Sequence, residues 1–285
     1  MRPWLRGGFR AGCRSSMLFG DAEGAAIVAC GPQRRASPGR RSLGRVHGLD
    51  SALRSRLAKR LAWQQALNDP VADPRNRLPT LRPLQQWQSK RLTTSFAGML
   101  ADPRMRPAAN FFLTDLYGDR DFSARDRDAG RILPLMARLL PESLLRAAAD
   151  AIELAVLSHA FDLAMADRLS QRKKPTAPIS VKDYAQAYRE VGCPRLRRRQ
   201  IRLIGRVGAD LDAAVKKHGV HRLLKASRIP AQLAGLSELQ SFLERGFSAF
   251  AELGGAETFL ARIDRQEREV SRRLFAGEAR PFQVS

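Results

Sequence analysis

From Leu49 onward, apolar residues recur at spacings of three and four, with polar residues between them. That period marks amphipathic helices. Leu53, Leu57 and Leu61 form the first stripe, behind a cap at Asp50 or Ser51, and Asn68-Asp69-Pro70 ends it. A proline-rich connector spans 70–83. The next stripe is Leu84, Trp87, Leu92 and Met99, closed by Asp102-Pro103. A short helix through Phe111, Phe112, Leu113 and Leu116 is expected to stop at Gly118.

Ser123 with Asp126 reads as a cap for a following helix, in which Pro134 marks a kink or an end. Pro141 suits the first position of a long helix carrying Leu144, Leu145, Ile152, Val156 and Leu163. Ser180 and Asp183 form a second capping pair, before Tyr184 and Tyr188, and Gly192 closes that helix. Ile204, Val207, Leu211 and Val215 make the stripe after Pro194. Leu236, Leu239, Leu243, Phe250 and Leu253 make the next, with Gly246 on the same face. Gly254-Gly255 leads to Leu260, Ile263, Val270 and Leu274. No alternating β-branched run of useful length occurs.

The expected fold is therefore all-α, a multi-helix bundle of about nine to ten helices. The short turn at Gly254-Gly255 predicts an antiparallel hairpin of the last two. Residues 49–276 form the expected helical domain, with a sub-boundary at the basic linker 171–178 and a tail at 277–285. Hydrophobic residues make up 44% of the 285, enough for a sizeable core.

Residues 1–48 break the pattern. They hold nine arginines and two acids, are rich in Gly, Ser and Pro, and show no helical period. A targeting peptide fits in part. Ile27 to Cys30 resembles a lipoprotein cleavage site, but Asp21 and Glu23 sit where its apolar region belongs. The preferred reading is a disordered basic extension, or a segment upstream of a true start near Val46.

Charge changes the picture next. The net charge is +22, and Lys and Arg number 50. Such a surface can attract nucleic acid or anionic lipid. The densest basic group is Arg195, Arg198, Arg199, Arg202 and Arg206, on one helix face opposite the Ile204 stripe. An anion-binding face is one reading, and a solvated helix side is the other. No aromatic interleaves these arginines for base stacking, and no helix-turn-helix pattern surrounds them. Nucleic acid is thus the weaker alternative.

The cysteines, Cys13, Cys30 and Cys193, lack metal or disulfide spacing, and a reducing compartment is expected. His218 and His221 are spaced for a shared metal, but no third ligand stands at familiar spacing. His159 lies in an apolar helix and reads as a core or rim histidine. No metal and no cofactor is expected. No apolar run reaches membrane-spanning length.

The densest polar segment is FFLTDLYGDRDFSARDRD at 111–128. Asp115, Tyr117, Asp119, Asp121 and Asp128 are candidate binding residues there. Interleaved arginines favour salt bridges and caps over a cation site. This run, with LPLMARLLP (133–141), ADAIELAVLS (149–158), AYREVG (187–192) and LQSFLERGFSAFAELGGAETFLARI (239–263), resembles an uncharacterised family of bacterial helical proteins. The resemblance spans about residues 50–276 and implies no catalytic residue.

The leading expectation is a cytoplasmic, non-enzymatic helical protein acting through a protein-interaction surface. One alternative is a small-ligand binder or enzyme with a pocket near Asp115, Tyr117 and Asp121. The other is nucleic-acid association through the arginine face.

Overall fold

The computed structural model describes residues 44–116, 142–172, 177–217 and 219–283. Eleven α-helices and no strand occur among them. They are α1 (Gly44–Asn68), α2 (Leu81–Ser95), α3 (Ala97–Ala101), α4 (Arg106–Phe111), α5 (Glu142–Ser170), α6 (Val181–Val191), α7 (Pro194–Val215), α8 (Val220–Ala226), α9 (Arg228–Leu233), α10 (Ser237–Leu253) and α11 (Glu257–Ala276). A π-helical turn, Phe112–Leu116, follows α4. The all-α expectation holds. The short helices α3, α8 and α9 raise the count, because none is long enough to write a stripe into the sequence.

The apolar period sets the packing. Leu53, Leu57 and Leu61 are all buried along α1, and α1 packs on α5. α5 is the central helix: α2, α6 and α7 also pack on it. Ile152, Val156 and Leu163 are buried along α5, as their spacing predicts. One half of the core joins α1, α2, α5, α6 and the end of α11. The other joins α2 to α4, α5, α7, α10 and the start of α11.

Local signals hold where backbone chemistry decides. Ser180 accepts from the Asp183 amide, and the Asp183 carboxylate accepts from the Ser180 amide, completing the capping box of α6. Such a cap contributes about 1 kcal/mol. Gly192, at φ 68°, closes α6. Cys193 follows at φ 57°, the one non-glycine residue in the left-handed region among those described.

The expected C-terminal hairpin is not seen. α10 packs on α4 and α7, while α11 packs on α7 and α6. The two helices meet near their connection, where the Phe250 and Phe259 rings lie 6.4 Å apart. The reason is on the face of α10. Leu243 is exposed, whereas Gln240, Gly246, Phe247, Ala249 and Phe250 are buried. A Cβ built on Gly246 would stand 2.7 Å from the Phe111 ring. The missing side chain thus lets α10 seat closely on α4.

The tail does not trail away. Pro281 is buried, and the Phe282 ring packs on Trp87 at 5.6 Å and Tyr184 at 5.8 Å. The first 43 residues lie outside the described region, and α1 begins at Gly44, ahead of the expected cap at Asp50 or Ser51. Residues 173–176 of the expected sub-boundary are also outside it, and the helices flanking them, α5 and α6, pack together.

Candidate functional site

α5 is mostly apolar, yet it carries four titratable groups toward its neighbours. Two of them, Asp150 and Glu153, are buried. Glu153 pairs with Arg60 of α1 through one oxygen and with Arg199 of α7 through the other. Asp150 pairs with Arg206 at 2.5 Å, and with Arg60 at 3.7 Å. Arg60 also donates to the Ala149 carbonyl at 2.8 Å. Burial pushes the Asp150 carboxyl up, against the pull of Arg206 and Arg60. Two acids and three arginines therefore tie α1, α5 and α7 together.

This network divides the arginine face found by sequence. Arg199 and Arg206 turn toward α5. Arg195, Arg198 and Arg202 remain exposed, and no carboxylate stands within ion-pair distance of them among the described residues. At 100° per residue, the paired and unpaired arginines occupy the two sides of one arc.

Arg197 was not among the sequence candidates, and it is the most deeply buried arginine of the run, at 6% exposure. Its guanidinium lies between the Phe161 ring at 3.6 Å and the Tyr188 ring at 4.3 Å. It donates to Gln200 Oε1 at 3.3 Å and to the Met165 sulfur at 3.2 Å. Its Nε is buried without an acceptor among the described residues. A signal for it existed: helical periodicity places residue 197 on the Ile204 side of α7, where a polar residue is out of place.

Beside it, Asp162 accepts from Gln88 Nε2 at 3.1 Å and Gln85 Nε2 at 3.5 Å. Burial pushes its carboxyl up to about 6, with the two amides and Arg197 pulling the other way. The folded protein holds this proton where an unfolded aspartate, near 3.9, has released it. Ionised Asp162 therefore weakens the fold as pH rises from about 4 through 6, by about 2–3 kcal/mol. Asp162→Asn is expected to raise the Tm at pH 8 and to leave it nearly unchanged at pH 3.5. An equal shift at both pH values in a thermal melt would refute this.

An aromatic layer continues outward. Trp87 stacks on Tyr184 at 4.3 Å. Arg91 grips Glu267 through two bonds, of 2.5 and 3.1 Å, and lies 5.3 Å from the Phe282 ring centre. The Tyr188 hydroxyl shares a 2.8 Å hydrogen bond with the Ser271 hydroxyl, and burial pushes its pKa up. The arrangement couples buried charge to aromatic faces. It does not set a nucleophile against a base.

His159 is a satisfied histidine, as its setting predicted. Its Nε2 lies 2.8 Å from Asn76 Oδ1, and burial lowers its pKa to about 4, so the ring is neutral at pH 7. Asp115 is buried and accepts two bonds from Arg245, at 2.8 and 2.6 Å, and one from Thr114 at 2.8 Å. Tyr117, Asp119, Asp121 and Asp128, and the capping pair Ser123 and Asp126, lie outside the described residues. So does His218; the His221 ring faces Phe247 at 5.3 Å. Among the described residues, no three metal-ligating side chains converge, and no helix is long and apolar enough to cross a membrane. Cys193 is buried in the left-handed turn that follows α6. Cys13 and Cys30 lie outside the described residues.

Fold and site together define a helical bundle tied by long-range arginine–carboxylate pairs. Over residues 67–281 the chain matches the family described as a domain of unknown function (DUF8198), and it belongs to that family. Neither the curated proteins nor the solved structures contain a match to it.

Proposed function

We propose that the protein is a non-enzymatic helical protein that docks a partner protein on the surface formed by α8 and α9. The observation that carries this reading is the exposure of Ile229 and Leu233, at 68% and 85%. They stand one helical turn apart and so share a face. Leu243 of α10 is also exposed. It adjoins Glu244, which holds Arg228 at the start of α9 in two bonds of 2.9 and 2.6 Å. α9 buries none of its residues, so its contribution to the core does not account for its apolar side chains.

Lys217, Arg222 and Lys225 are exposed around this surface. Charge complementarity selects an acidic partner segment with an apolar helical face. A second copy of this basic chain would bring like charges together.

A photo-crosslinker at Leu233 in the full chain tests the reading. It should capture a protein whose acidic amphipathic segment, made as a peptide, binds the wild type. Ile229→Ser with Leu233→Ser should weaken that binding at least tenfold without moving the Tm. Binding unchanged by the double substitution, or no crosslinked protein, overturns it.

A further inference from the structure

The outward side of α7 is a surface separate from α9. We propose that Arg195, Arg198 and Arg202 bind the phosphate backbone of a nucleic-acid duplex without reading its bases.

Some exposed arginines elsewhere sit beside carboxylates: Arg228 with Glu244, Arg268 with Asp264, and Arg272 with Glu269. Within α7 itself, Arg199 and Arg206 are taken up by Glu153 and Asp150. Arg195, Arg198 and Arg202 have no such partner among the described residues. No acid precedes Asp210 in α7. Cations early in a helix oppose its dipole, and like charges one turn apart repel. The stripe therefore costs stability where it stands, and an anion laid along it removes that cost.

Geometry sets the kind of anion. A rise of 1.5 Å per residue puts Arg195 and Arg202 about 10 Å apart along the axis. Each strand of a duplex presents one phosphate per about 3.4 Å of the duplex axis, so the stripe, laid along that axis, spans about three phosphates. Arginine suits them through its planar fork of donors. No aromatic side chain stands between the three positions in sequence, so bases have nothing to stack on. Contacts of this kind position a protein on a duplex and carry no sequence preference.

The test uses the full chain and a fluorescent random-sequence DNA duplex, titrated over a range of salt. Arg195→Gln, Arg198→Gln and Arg202→Gln together should flatten the plot of log K against log salt by about 2.7, at about 0.9 per phosphate. A control triple, Arg82→Gln, Lys90→Gln and Arg104→Gln, removes the same charge from exposed positions on α2 and the loop after α3, and should leave the slope nearly unchanged. If the α7 triple fails to fold, each single substitution should lower the slope by about one. Equal losses in both triples mean diffuse attraction by net charge and overturn the proposal. So does a wild type whose duplex binding ignores the α7 triple while its binding to phosphatidylserine vesicles depends on it.

Discussion

Phe250→Ala is expected to destabilise the protein by about 3–5 kcal/mol. Phe250 is 1% exposed. Its ring faces Phe112 at 6.3 Å and Phe259 at 6.4 Å, and those two meet edge to face at 5.6 Å. The three rings join α10, the turn after α4 and the start of α11. Truncation removes one corner of that triangle. It leaves a cavity that the others cannot close, because Gly246, one turn earlier, already holds α10 tight on Phe111. Since a domain is stable by only about 5–15 kcal/mol, the loss is a large share of the total. Urea denaturation measures it: a midpoint that barely moves would show that the rings repack freely.

Glu153→Ala is expected to cost about 3 kcal/mol, by leaving two arginines without their shared carboxylate. Arg60 can fall back on Asp150 and the Ala149 carbonyl. Arg199 has no second carboxylate among the described residues. Glu153→Gln should cost less, because the amide oxygen can still accept one bond. The order wild type, Gln, Ala in chemical denaturation checks the network. If Ala and Gln are equally mild, the pairs are surface decoration, worth under about 1 kcal/mol each.

Legibility followed the range of the interaction. The α1 stripe and the Ser180–Asp183 box were readable because each rests on neighbours within a turn or two. The α5 stripe was readable because burial repeats with the helix. The hairpin fails because a short connection does not by itself force side-by-side packing. What decides the partner of α10 is Gly246 meeting Phe111, and no sequence spacing records that meeting. Asp162 stands within the apolar α5, and its carboxyl is held by glutamines of another helix, which no spacing in the sequence records. Arg198 and Arg199 are equivalent as letters, and only the crossing of α7 over α5 assigns one to solvent and the other to Glu153. Arg197 was the exception, since its place on the apolar side was already written in the period.

The bond between Arg91 and Glu267 joins positions 176 residues apart. Phe282 reaches back to Trp87 beside it. During synthesis, α2, α5 and α6 are thus exposed long before the residues that cover them are made. Closing so long a loop carries an entropic cost before any contact offsets it, and chains rich in such contacts fold slowly. The Trp87–Tyr184 face is an aggregation hazard for that interval, and a chaperone that shields aromatic surface would find its first client segment there.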